Sequence, residues 1–321
     1  MIRRSFSAAR LAALALLALA LGGPGCATSG YHTKPQVAVV DADPIVQMVS
    51  SSKFRPLVDP KTVPLRKHTD PPFSGEEAVG RSDLTPPRIY PVGLLDGPEV
   101  LNDDADGAPY VVARCALTDL VAIYDRRVDG RTLTFENSGA LWRDMLVMRD
   151  KETGTYWTPA TGRALHGPLE GRTLSAIPAP IAKAGDWKES DPELLCLDTG
   201  EMSSVSLQMK LYGKSPMEGL SGGKSTDPRY EPKQRVYYVA SESGDAAAAI
   251  SSEELRRRKT WTPELAGRHV TFEWDAGLRT PRAYAEESGK RREVAVIPIY
   301  WFAAQEHFRT VVTPESAAKA R

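Results

Sequence analysis

Short runs of β-branched and aromatic residues, each bounded by a turn signal, constrain this chain more than any other feature. Tyr110-Val111-Val112-Ala113-Arg114-Cys115, Leu120-Val121-Ala122-Ile123-Tyr124 and Thr132-Leu133-Thr134-Phe135 are punctuated by Asp106-Gly107, Asp129-Gly130 and Ser138-Gly139. Runs of this length between Gly- and Asp-containing turns read as strands of antiparallel sheets. Met145-Leu146-Val147-Met148 and Tyr156-Trp157 flank Lys151-Glu152-Thr153-Gly154, the spacing of a hairpin loop. Helical periodicity is confined to short pieces at residues 92–101, 182–189 and 252–258. The expected fold class is therefore α+β and β-rich, built of short, mostly antiparallel strands with a few short helices.

A weak internal echo divides this pattern in two. Gly130-Arg131-Thr132-Leu133-Thr134-Phe135 returns as Gly267-Arg268-His269-Val270-Thr271-Phe272, and Ile177-Pro178 returns as Ile297-Pro298. Two echoes in the same order imply pseudo-repeated halves, the second lacking the hairpin that carries Thr153-Gly154. The expected organisation is a leader over residues 1–25, a tether and irregular segment over 26–85 with a short helix near 44–51, a first half over 86–212 and a shorter second half over 232–321. Residues 213–231, rich in Gly, Ser, Pro and charge, join the halves.

The leader begins Met1-Ile2-Arg3-Arg4, continues as an uncharged Leu/Ala run from Leu11 to Leu21, and ends Gly22-Gly23-Pro24-Gly25-Cys26. A cationic start, a short apolar run and a small-residue exit make a signal peptide. The run is about half of the roughly 20 residues that a spanning helix needs. Its exit onto a cysteine resembles a bacterial lipobox, in which the thiol takes a diacylglycerol, although Gly23 and Pro24 depart from the usual residues. Cys26 is thus the expected lipid attachment site, with ordinary cleavage as the alternative. Ala27, which is not acidic, points by the same resemblance to the periplasmic face of the outer membrane. Removal of the leader takes away Arg3, Arg4 and Arg10 from 41 basic residues and none of the 41 acidic ones. The slightly acidic remainder carries no electrostatic footprint for nucleic acid.

From Arg88 to about Leu197 the chain resembles an uncharacterised bacterial secreted family, the domain of unknown function 3179. The blocks that carry the resemblance are Arg88-Ile89-Tyr90-Pro91, Pro98-Glu99-Val100-Leu101-Asn102-Asp103 and Cys115-Ala116-Leu117-Thr118. Ser138-Gly139, Asp150, Thr153-Gly154, Trp157, Thr161-Gly162 and Gly167-Pro168-Leu169-Glu170-Gly171 follow in order, and Tyr300-Trp301-Phe302-Ala303 echoes a late aromatic block. Family members carry His-Glu and Cys-Pro-Leu-Cys at the second and third of these places. Paired thiols at that spacing can cycle between dithiol and disulfide, or bind a soft metal with the histidine. Thr118 and Pro98 replace the second thiol and the imidazole, so the resemblance implies a degenerate member.

The candidate residues follow. Cys115 is the candidate nucleophile, and Glu99, Asn102, Asp103 and Ser138 form the candidate binding set. Cys115 and Cys196 could form a disulfide or be two buried free thiols. Asn102-Asp103-Asp104-Ala105-Asp106-Gly107 has some calcium-loop spacing but lacks the distal acid, so a solvated turn is the preferred reading. The histidines are scattered without ligand spacing, and no phosphate loop, dinucleotide fingerprint or serine-hydrolase elbow occurs. No metal and no cofactor are expected. The leading expectation is a lipid-anchored, non-catalytic or degenerate binding module of the cell envelope. Its alternative is a thiol-dependent oxidoreductase or a metal-binding protein using Cys115. The class of ligand, small molecule or protein, is left open.

Overall fold

The computed structural model describes residues 34–67, 75–105, 107–191, 193–198, 204–222 and 224–314. The leader, Cys26 and Asp106 lie outside the described residues. The fold is strand-rich, as expected, with five short α-helices among the described residues.

A four-stranded sheet explains why the strongest β signals are continuous rather than alternating. It orders Leu57–Val58, Val100–Ala105, Ala108–Cys115 and Leu120–Asp125, the first pair parallel and the others antiparallel. Alternate side chains of a strand point to opposite faces. Val111, Ala113, Cys115, Leu120, Ala122 and Tyr124 enter one hydrophobic core, whereas Tyr110, Val112, Val121 and Ile123 enter another. Both faces are covered, so nearly every position must be apolar.

Beside it, a six-stranded sheet orders Gln36–Val40, Asp43–Gln47, Phe135–Trp142, Met145–Asp150, Tyr156–Trp157 and Ala164–His166. Its longest strand is irregular between Asn137 and Leu141. Gly139 sits there at φ 75°, and a side chain at this position would collide with the Val49 carbonyl. That carbonyl's neighbours depend on the close approach, since the Met48 and Val49 amides both donate to the Gly139 carbonyl. The expected hairpin after Asp150 is present, and Asp150 locks it by accepting from the Thr153 amide and hydroxyl and from Trp157 Nε1.

Two further sheets share one strand order. The first places Ile181–Lys183, Glu77–Arg81, Arg88–Pro91 and Leu195–Leu197 side by side, with Thr62–Pro64 added at the end. The second places Ile297–Tyr300, Arg235–Ala240, Ala246–Ile250 and Thr310–Val312 side by side. In both, the first two pairings are antiparallel and the third is parallel. In both, a helix leads from an outer strand to the parallel one: Ala184–Ser190 in the first and Trp301–His307 in the second. A separate antiparallel meander, Arg268–Asp275, Thr280–Glu287 and Lys290–Val294, lies in the chain between Ala246–Ile250 and Ile297–Tyr300 of the second sheet.

Several expectations need correction. The segment taken as irregular up to residue 85 contains strands at Gln36–Val40, Asp43–Gln47, Leu57–Val58, Thr62–Pro64 and Glu77–Arg81. The helix expected near 44–51 is instead the second of these strands followed by a 3-10 turn at Ser51–Lys53, whose start is capped by Ser50. The helix expected over 92–101 covers only Val92–Leu95, because Val100–Ala105 pairs into a sheet. The helix Ser252–Arg258 has the expected bounds. It is fixed by the Ser251 cap, first-turn acids and last-turn arginines. The helix Ser204–Lys214 went unforeseen.

Candidate functional site

The hairpin turn after Ala108–Cys115 places Cys115 and Thr118 together, and the residue before Val100–Ala105 places Glu99 beside them. Glu99 is held at φ 59°, with its amide bonded to the Leu95 carbonyl and its carbonyl accepting from the Arg114 amide. The irregular stretch around Gly139 aims Asn137 at this point, and Asn137 Nδ2 donates to the Glu99 carboxylate. Bulges of this sort re-aim a side chain out of the regular pleat. The Leu146 amide donates to Cys115 Sγ at 3.4 Å, and the Thr118 hydroxyl lies against the same sulfur. Cys115, Glu99, Asn137 and Thr118 thus form one polar cluster in the interior of the protein.

Electrostatics there favour neutral groups. Burial pushes the Glu99 carboxyl up to about 8, helped by the charge of Asp96 and opposed by Arg114 and by the Asn137 bond. Glu99 keeps part of its surface exposed while its carboxyl is enclosed by protein. Burial also raises the Cys115 thiol, and Glu99 adds to the rise; Thr118 and the Leu146 amide oppose it. A thiol is reactive as thiolate, so these neighbours keep Cys115 in its less reactive form at neutral pH.

Behind the cluster runs a buried relay of charge. Arg114 bridges Asp96 and Asp119 at 2.9 Å each, and Arg235 joins Asp119 at 2.6 Å and Glu77 at 2.7 Å. The relay ties the four-stranded sheet to both sheets of shared strand order. Asp119 is lowered, because Arg235 and Arg114 outweigh the burial that would raise it. Neither Arg114, Asp119, Arg235 nor Glu77 was singled out from the sequence. An arginine inside a strand gives no local sign that its partners lie on other sheets.

The remaining expected binding residues are occupied in holding the fold. Asn102 makes a two-way clamp on Phe135, donating to its carbonyl and accepting from its amide at 2.8 Å each. Asp103 accepts from Arg88, Tyr90 and Tyr110. Ser138 donates to the Val147 carbonyl at 2.6 Å and accepts from the Ala140 amide at 3.1 Å. In the would-be calcium loop, Asn102 and Asp103 are buried in a strand and Asp104 accepts from the Gly107 amide, an ordinary turn contact. Cys115 and Cys196 are both free and belong to different core clusters, so the disulfide option does not apply. Burial pushes Cys196 up to about 12, with Asp198 contributing.

A cleft of about 470 Å³ opens elsewhere, between Thr161, Thr173 and Ser175 on one side and Ser241, Arg268 and Glu293 on the other. Its charged groups are already paired: Arg163 with Asp41, Arg268 with Glu242, and Glu293 with Arg282. Among the described residues, no group of three or more His, Cys, Asp and Glu is placed to hold a metal ion. Nor is any described helix long and apolar enough to cross a membrane.

No curated protein and no solved structure matches the chain. The family model described as "Protein of unknown function (DUF3179)" matches residues 58–318, a span that takes in the Glu99–Cys115 cluster, the charge relay and both sheets of shared strand order. The chain belongs to that family.

Proposed function

We propose that the protein is a lipoprotein, attached through Cys26, whose folded body serves as a non-catalytic binding module of the bacterial cell envelope, on the periplasmic face of the outer membrane. One observation carries the non-catalytic part. The Cys115 thiol is 1% exposed and raised in pKa, and Thr118 stands where a resolving thiol would be needed. A mixed disulfide resolves only through a second sulfur at bonding distance, with Cβ atoms about 3.5–4.5 Å apart. Cys196 is packed in another core. The membrane part is supported by the leader and the residues before Cys26.

Each part has its own test. Purified mature protein with glutathione should not reduce insulin above the uncatalysed rate. Multiple turnovers that vanish in Cys115→Ser would overturn the non-catalytic reading. In cells, a radioactive fatty acid should label the protein, and label persisting in Cys26→Ser would rule out that attachment site.

Thiol chemistry stands second, on one observation: Glu99 is a carboxyl of raised pKa, oriented by Asn137, next to a sulfur that receives the Leu146 amide. A base beside a thiol, itself oriented by a third group, is the arrangement of an activated nucleophile. Alkylation of native Cys115 by iodoacetamide, with a rate that follows the ionisation of Glu99 and falls in Glu99→Gln, would favour this reading.

A further inference from the structure

The helix Ser204–Lys214 carries two opposed faces. Its Tyr212 packs with Val46, Met48, Leu141 and Leu220, bordered by Met209. Successive residues of a helix are rotated by about 100°, so Leu207, Lys210, Leu211 and Lys214 share one stripe roughly opposite Met209 and Tyr212. Leu207 is 65% and Leu211 59% exposed, among the few large apolar side chains left in solvent. Lys214 is exposed, and Lys210 reaches Glu76 while keeping half of its side chain in solvent. Two leucines flanked by two lysines on an outward stripe match the side chains of a helix lying in a bilayer interface.

A further exposed apolar residue lies on the same side of the molecule. Val39, 62% exposed, pairs with Pro44, and Pro44 shares its face of the six-stranded sheet with Val46 two residues on. Val46 packs directly in the cluster of Tyr212. Val39 and the helix therefore stand on one side of that sheet, and this sheet begins at Gln36, immediately after the tether.

The tether limits what that side can face. From Cys26 to Lys34 the chain spans about 29 Å at full extension. A body of this length is about 50 Å across by the size scaling of compact domains. A protein held at Cys26 thus cannot turn its far side to the membrane, and the surface around Gln36–Val40 stays closest to it.

We propose that the face bearing Leu207, Leu211 and Val39 rests on the bilayer. The two leucines enter the boundary between headgroups and acyl chains, and Lys210 and Lys214 meet the phosphates of anionic lipid. The proposal takes its local concentration from the attachment at Cys26, and so rests on the reading above. It requires no ligand at the Glu99–Cys115 cluster.

The test separates the two readings by supplying the anchor chemically. Cys115 and Cys196 are buried, so Cys26 of the purified mature chain can be coupled to a maleimide lipid in vesicles of phosphatidylethanolamine and phosphatidylglycerol, about three parts to one. Amide hydrogen exchange over residues 204–214 should slow by at least about tenfold on coupling, and Leu207→Glu/Leu211→Glu should abolish the slowing. Leu207→Gln provides a milder variant if the double substitution unfolds. Unchanged exchange on coupling would overturn the proposal. So would the same slowing without vesicles, growing with protein concentration, because a second copy would then cover the stripe. Neither result depends on acylation in the cell, which the fatty-acid label reports separately.

Discussion

The two sheets of shared strand order differ mainly in what fills the chain between their inner and outer strands. In the first, residues 92–180 intervene; they build most of the four-stranded and six-stranded sheets and the cluster of Glu99, Cys115, Thr118 and Asn137. In the second, residues 251–296 intervene and build a meander whose ion pairs keep contact with solvent: Arg291 with Glu273 and Arg268 with Glu287 are partly exposed, and Arg282 with Glu293 is the most enclosed of the three. One scaffold is thus used twice, once around buried polarity and once around solvated charge. Buried charge must be paired at once and left intact, whereas solvated charge is replaceable.

Four substitutions sharpen or break that contrast. Asp119→Ala removes the shared partner of Arg114 and Arg235 and should cost about 3–5 kcal/mol, read as a lowered urea midpoint, because each guanidinium loses one of its two carboxylates, Arg114 keeping only Asp96 and Arg235 only Glu77. A loss below about 1 kcal/mol would show that water reaches the relay. Asn102→Ala should cost about 1–3 kcal/mol by the same measurement, since the Phe135 amide and carbonyl both lose the side chain that pairs them in a buried setting.

The third is a pH effect with a definite sign. The Glu99 carboxyl is raised from 4.5 to about 8, so the folded state holds its proton over a range in which the unfolded state has released it. The contribution of Glu99 to stability is complete below about 4.5, falls as pH rises toward about 8, and is flat above. Unfolding across this window should show the difference between the native protein and Glu99→Gln shrinking or reversing as pH rises. A difference independent of pH would mean that Glu99 ionises normally. The smallest effect belongs to the meander: Glu273→Ala, which removes the partly exposed partner of Arg291, should cost roughly 0.2–1 kcal/mol, mostly screened by salt. Should it match Asp119→Ala, the contrast between the two sheets would fail.

Strands whose two faces are both buried were readable from the sequence because nearly every residue in them had to be apolar, as in Leu120–Tyr124 and, apart from Arg114, in Tyr110–Cys115. Short strands in the N-terminal segment were not. Asp43–Gln47 and Thr62–Pro64 contain proline and lie half-exposed, so composition marks them as loop while tertiary pairing makes them strand. The helix Ser204–Lys214 was masked by its serine-rich start and by two leucines that face outward instead of inward. At the site, Glu99 and Cys115 were both named, yet Asn137 was passed over in favour of its neighbour Ser138. Only the break in the strand at Gly139 turns Asn137 toward Glu99 and Ser138 toward the backbone. The relay was illegible because its members are far apart in sequence: Glu77 and Arg235 meet through folding alone.

The parallel strand that completes each matched sheet has a bearing on how the chain reaches its native state. Arg88–Pro91 waits for Leu195–Leu197, and Ala246–Ile250 waits for Thr310–Val312, close to the end of the described chain. Each open edge persists through synthesis of everything between, and closing it carries the loop entropy of that whole stretch. Such a chain emerges from the ribosome with both sheets unclosed, and until the last strand arrives their open edges can pair with neighbouring chains.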